Sequence, residues 1–174
     1  MLVVFAGLPA SGKSYLASRL GAVVSGVLLD KDRVRAALFP QEEIEYSSEQ
    51  DDFCMQLIYQ TATYILQKNP RKIVIIDGRP FAHAYQVEAL LGRFRSAGIP
   101  IRLIECVCSE ETAQQRLEVD VARGWHVAAN RNIELYQRLK AEFEPIPQPK
   151  LVVNTDDDLE RCISKCLNFI HGVE

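Results

Sequence analysis

No surplus of positive charge runs through this sequence: 20 lysines and arginines face 23 aspartates and glutamates, a formal net charge of -3. A general coat protein for DNA or RNA draws its affinity from many phosphate contacts and would be basic. That class is disfavoured, although a local basic groove fits within the total. No apolar run approaches the ~20 residues that a membrane-crossing helix needs. Residues 1–6 are apolar but have no basic stretch before them, and a glycine-rich loop follows at once, so they read as a first strand rather than a secretory signal. The expectation is a cytoplasmic protein with no membrane partner. The five cysteines include no C-x-x-C pair. An odd number in such a chain argues against a disulfide framework. The C-x-C of Cys106 and Cys108 and the one-turn spacing of Cys162 and Cys166 lack the loop spacing of a zinc site, so small buried side chains are expected. Repeats, low-complexity tracts and linkers are absent too; "EPIPQP" is too short to separate domains. With 48% hydrophobic residues in 174, the chain has the composition of a globular unit with a core, read as a single domain over 1–174.

What is present alternates. Apolar runs at Leu2–Ala6, Val27–Leu29, Ile73–Ile76, Ile101–Val107 and Leu151–Val153 read as strands. Helical patterns lie between them: Lys13–Leu20, Lys31–Phe39, Ser47–Lys68, His83–Ala97, Ser109 to about Asp120, Asn130–Phe143, and a last one to about Ile170. The β-branched run Ile73–Ile76 without alternation suits a strand covered on both faces. Strands separated by helices predict βαβ units and a mainly parallel α/β sheet.

Directly behind the first strand stands "GLPASGKS", positions 7–14. Gly7-x-x-x-x-Gly12-Lys13-Ser14 is a Walker A pattern, or P-loop. Glycines let backbone N–H groups approach phosphate oxygens closely. The helix that follows aims its N-terminal amides and positive dipole end at the anion. Lys13 adds a point charge at the β- and γ-phosphates, and Ser14 offers a hydroxyl to Mg²⁺. Pro9, Ala10, Ser11 and Tyr15 belong to the same nucleotide-binding stretch. ATP and Mg²⁺ are the expected co-substrate and cofactor.

A P-loop serves switches, motors and kinases alike. The N-K-x-D guanine motif and a D-x-x-G at the switch position are missing, and no extra domain is present to act as a motor. "LLDKDRVRAALFP" ends the second strand with Asp30 and Asp32, then Arg33 and Arg35 on the opening helix. In a parallel sheet this strand end shares the carboxyl edge with the P-loop. A carboxylate there can take the proton of a substrate hydroxyl, and an arginine can hold an anionic substrate group. "KIVIIDGRPF" ends in Asp77, in the manner of a Walker B carboxylate supporting Mg²⁺; Arg79 projects from the same edge toward substrate.

With "GLPASGKS", "LLDKDRVR", "VIIDGRPF" and "QQRLEVDVARGWHVAANRNIELYQRLKAEFEPI" in order, nearly the whole chain resembles the small P-loop kinases grouped with zeta-toxin, chloramphenicol phosphotransferase, gluconate kinase and polynucleotide kinase. The resemblance implies five parallel strands in 2-3-1-4-5 order, helices on both faces, and a helical lid at about 116–138. It also implies transfer of the γ-phosphoryl group of ATP to a hydroxyl of a small-molecule acceptor. Alignment on the polynucleotide kinase branch makes Asp32 the base and Arg35 the substrate clamp. Arg33 departs from that branch's second aspartate and Asp30 also precedes the run, so the base stays open between Asp30 and Asp32. The lid region holds Arg116, Arg123, Arg131 and Arg138. The resemblance points to Arg123 and Arg131 for stabilising transferred charge, with Arg116 nearer the nucleotide base. Trp125 and His126 fall at the lid tip, to stack on substrate or to anchor the lid. His83 and His171 read as helix-end or surface residues. Two rivals stay open: a 5′-hydroxyl polynucleotide kinase, and a nucleotide-dependent binding or regulatory module without phosphotransferase activity.

Overall fold

A computed structural model of the chain describes residues 1–123, 132–147 and 149–172, the side chains of 121–123 apart. Five strands, β1 (Leu2–Ala6), β2 (Val27–Asp30), β3 (Val74–Asp77), β4 (Ile101–Val107) and β5 (Leu151–Asn154), form one parallel sheet in the order β2-β3-β1-β4-β5. This is the order that the sequence resemblance implies. Among the described residues seven helices connect and cover the strands: α1 (Lys13–Val23), α2 (Lys31–Leu38), α3 (Ser48–Lys68), α4 (Ala84–Ser96), α5 (Glu110–Arg123), α6 (Ile133–Glu142) and α7 (Leu159–His171).

The central strand β1 is buried along its whole length, and its side chains alternate between two cores. Leu2, Val4 and Ala6 pack with Met55, Ile58 and Leu66 of α3 and with Val87, Leu90 and Phe94 of α4. Val3 and Phe5 face Leu16, Ala17 and Leu20 of α1 and the Cys162, Cys166 and Ile170 stripe of α7. Each fully buried Leu, Ile or Phe here contributes about 1.5–3 kcal/mol. The one-turn pair Cys162 and Cys166 is thus the apolar stripe of α7, next to Cys106. All five thiols are unbridged, four buried and Cys108 half-buried; burial pushes Cys166 up to about 12.

Element ends differ from the sequence reading where backbone geometry rather than residue type decides them. α1 continues past Leu20 to Val23, carrying Gly21 in its last turns, where an added Cβ would meet Ile75 at 3.4 Å. β3 is shifted by one residue to include Asp77, which pairs in register with Asp30. A short 3-10 turn over Gln41–Glu43 follows Pro40; three polar residues give no period to find it by. Among the described residues no helix is long and apolar enough to cross a membrane.

The carboxyl ends of β1, β2, β3 and β5 all open on one edge, where the connections to α1, α2, α4 and α7 converge. In open parallel sheets that edge is where ligands bind.

Candidate functional site

The loop between β1 and α1 is built to hold an anion. Gly7 has φ 133°, and a Cβ there would overlap the Cys106 carbonyl; Gly12 has φ 79°, and a Cβ there would lie 2.9 Å from Thr155 Oγ1. As N-cap of α1, Gly12 has no side chain to occupy the first-turn amides, which leaves them for a ligand. Lys13 is only 7% exposed, and its Nζ donates to the Leu8 carbonyl at 3.1 Å, so it folds back over its own loop.

On one side of Lys13 opens a cavity of about 400 Å³, walled by Tyr15, Arg116, Asp120 and Thr155 among others. Arg116, on α5, donates to the Ala10 carbonyl at 3.1 Å, to Thr155 Oγ1 at 2.9 Å and to the Thr155 carbonyl at 3.0 Å. Thr155 Oγ1 in turn donates to the Ser11 carbonyl at 2.8 Å. Arg116 therefore joins the P-loop to the segment after β5. Thr155 was not singled out by sequence, although its position just past the last strand, on the carboxyl edge, was a usable sign. Hydrogen bonds from a charged group contribute about 1.5–3 kcal/mol, so Arg116→Ala is expected to lower stability by about that much. Because the two residues share one network, Arg116→Ala with Thr155→Val should cost at least ~0.5 kcal/mol less than the sum of the singles. Urea unfolding of the four proteins checks this.

On the other side of Lys13 a smaller cavity of about 150 Å³ lies between the ends of β2 and β3, the start of α3 and α6. Asp30 caps α2: its Oδ1 accepts from the amides of Asp32 at 2.8 Å and Arg33 at 3.0 Å. That cap fixes the first turn of α2 with Lys31, Asp32 and Arg35 on the cavity wall, while Arg33 is exposed. Asp32 Oδ1 meets Arg35 Nη1 at 2.9 Å and Lys31 Nζ at 3.5 Å. Asp51, in the first turn of α3, holds Lys31 Nζ at 2.7 Å and also pairs with Arg35. Arg79, after β3, pairs with Asp52 at 2.5 Å. Burial lowers Lys31 to about 8, against the pull of Asp32. The Arg35 guanidinium also lies 5.1 Å from the Tyr46 ring centroid.

At the end of β3 sits Asp77, fully buried. Neither of its carboxylate oxygens has a hydrogen-bond partner of full geometry among the described residues. Burial pushes its pKa up, opposed by the charge of Lys13 and by Ser14. Lys13 and Ser14 line both cavities, and Asp77 lies behind them.

The structure thus brings together Lys13, Ser14, Asp32, Arg35, Arg79 and, on the far side, Arg116. Asp30 is at the same edge but is engaged in the cap. Lys31, Asp51 and Arg138 were not foreseen as members of the acidic-end cavity, and His83, read as a helix-end residue, lines it as well. Arg123 ends α5 with its side chain outside the description, and Trp125, His126 and Arg131 lie outside the described residues.

Residues 2–146 match the AAA_33 family, whose description is AAA domain. No curated protein matches the chain. Several solved structures share its fold. The APS kinase CysC of Mycobacterium tuberculosis, in complex with AMPPNP and APS, aligns at a TM-score of 0.73 and 16% identity, over 98% of this chain and 96% of that one. Kti12 of Chaetomium thermophilum, in complex with ADP-AlF3, aligns at 0.68 and 20%, over 98% and 99%. A gluconokinase of Sinorhizobium meliloti 1021 aligns at 0.68 and 15%, over 98% and 91%.

Proposed function

The chain belongs to the AAA domain family AAA_33, and from that membership we propose that it is an ATP- and Mg²⁺-dependent kinase acting on the hydroxyl of a small-molecule acceptor. The observation that carries this reading is the pair of cavities meeting at Lys13 and Ser14. A nucleotide switch needs only one such space; a transferase needs a donor space and an acceptor space with the phosphate cradle between them. The bound AMPPNP and ADP-AlF3 in the similar folds support nucleotide use in the larger cavity.

Each residue then has a task. Lys13, the α1 amides and the P-loop hold the triphosphate, with Arg116 and Thr155 beside the base and sugar. Asp32 accepts the proton of the acceptor hydroxyl as the new O–P bond forms and the bond to the leaving ADP oxygen breaks. Asp32 is preferred over Asp30 because the latter's Oδ1 already serves two amides. Arg35 and Arg79 fix the acceptor. Arg123 and Arg131 remain the candidates for an arginine arriving with the lid. The orphaned carboxylate of Asp77, next to Ser14, fits a Mg²⁺ site. No cluster of three or more His, Cys, Asp or Glu among the described residues would serve a metal, and Mg²⁺ in nucleotide sites draws on one or two protein groups plus phosphates and water. When bound it neutralises charge developing on the phosphates.

The test is ADP release from ATP and Mg²⁺ across a library of hydroxyl compounds. At least one small alcohol should stimulate release well above the water-only rate and appear as a phosphate ester. Slow ATP turnover that no acceptor stimulates would replace this reading with a nucleotide-dependent binding module.

A further inference from the structure

We propose, resting on the kinase reading, that the acceptor is a small alcohol that itself carries an anionic oxygen group, bound by Arg35, Arg79 and Arg138. Charge is the first argument. Leaving Lys13 to the nucleotide, the acceptor cavity is lined by four cations, Lys31, Arg35, Arg79 and Arg138, against the carboxylates of Asp32 and Asp51 and of Asp52 behind Arg79, an excess of one positive charge. A neutral polyol would leave that surplus standing. An anion would neutralise it through charge-assisted hydrogen bonds, roughly twice as strong as neutral ones.

Unmet donors are the second argument. Arg35 and Arg79 are 2% and 4% exposed, yet the Nε of each has no hydrogen-bond partner among the described residues. Their carboxylate partners come from α2 and α3: Asp32 and Asp51 for Arg35, Asp52 for Arg79. Those ion pairs fix the guanidinium planes and leave each Nε–H unused just behind the cavity lining. A buried donor without an acceptor costs about 1–3 kcal/mol, so a small turn of either guanidinium toward an anion in the cavity would be favoured. Arg138 is exposed on α6 and makes no ion pair with a described residue, so it is available from the opposite wall.

Size is the third. At about 150 Å³, the cavity is well below the ~300–1,000 Å³ that drug-sized ligands occupy. A hydroxy acid or a short phosphorylated alcohol suits that volume; a nucleoside or an oligonucleotide end does not.

Matched acceptor pairs test the proposal. 3-Hydroxypropionate is compared with 1,3-propanediol, glycerate with glycerol, and glycerol phosphate serves as the phosphate arm. The anionic members are expected to show kcat/KM about 10–100-fold above their neutral partners, the range given by one or two charge-assisted contacts. Arg138→Gln is chosen because its exposure spares the fold. It should erase most of that advantage, chiefly through KM for the anionic members, and Arg138→Lys should restore some of it. If carboxylates and phosphate esters separate, the better arm names the anion. Neutral alcohols turned over as well as the acids would overturn the proposal and leave the kinase reading standing. A second measurement does not depend on turnover. With AMP-PNP and Mg²⁺ filling the P-loop, calorimetric titration with sulfate should show binding that Arg138→Gln weakens several-fold. Sulfate binding without phosphorylation of any alcohol would sink the kinase reading while supporting the anion site. No sulfate binding to the nucleotide-loaded protein would sink the anion site itself.

Discussion

Lys13→Ala protein is expected to lose transfer by at least ~10²–10³-fold, the cost of removing one preorganised charge or donor at the reacting phosphate, and to bind ATP weakly in calorimetry. The substitution should also be felt in stability. Lys13 is the main positive charge acting on Asp77, which is fully buried with no hydrogen-bond partner of full geometry among the described residues. Breaking a buried ionic contact from one side costs up to about 3–5 kcal/mol, less whatever protonation of Asp77 recovers. The sign of the pH dependence follows. A carboxylate whose folded pKa lies above its unfolded value contributes stability below the unfolded pKa and loses it as pH rises through the folded one. Without Lys13 the Asp77 pKa rises further, so the stability gap between wild type and Lys13→Ala should be widest at pH 7 and narrow on acidification. Urea unfolding at pH 7 and pH 5 measures it. Adding Asp77→Asn should restore stability without restoring transfer. An unchanged gap at both pH values would mean that the two groups are not coupled.

Asp32→Asn is the second large effect. General bases contribute about 10²–10⁴-fold, so transfer should fall by that factor while ATP binding is retained. The fold should persist, because Asp51 still holds both Lys31 and Arg35. The control is Asp30→Asn. Asparagine caps a helix about as well as aspartate, so the cap on α2 and most of the activity should survive. Measured as acceptor-stimulated ADP release, the two variants divide the roles. Full activity in Asp32→Asn with loss in Asp30→Asn would move the base to Asp30.

Much of the architecture was legible, for reasons that can be named. Apolar runs bounded by helix patterns gave the five strands, and Gly7, Gly12, Lys13 and Ser14 announced the phosphate loop by spacing alone. The strand order was a different matter: alternation predicts parallel strands, but 2-3-1-4-5 came from the resemblance to P-loop kinases. What stayed hidden is long-range pairing. Asp51 and Asp52 look like ordinary first-turn acids of α3, and nothing nearby in sequence says that they grip Lys31, Arg35 and Arg79. Asp30 and Asp32 could not be told apart because both follow the same strand; only the capping geometry separates a carboxylate facing two amides from one facing two cations. Thr155 offered only its place just past the last strand, since its partners Ser11 and Arg116 are far from it along the chain.

That last contact bears on where the gene could be shortened. The family match stops at residue 146, which invites an expression boundary soon after it. Such a fragment would lack the final strand and helix, and with them Thr155, whose hydroxyl braces the backbone of the nucleotide loop from outside. A protein trimmed to its recognisable portion would keep every motif letter and lose the strut that holds them in shape.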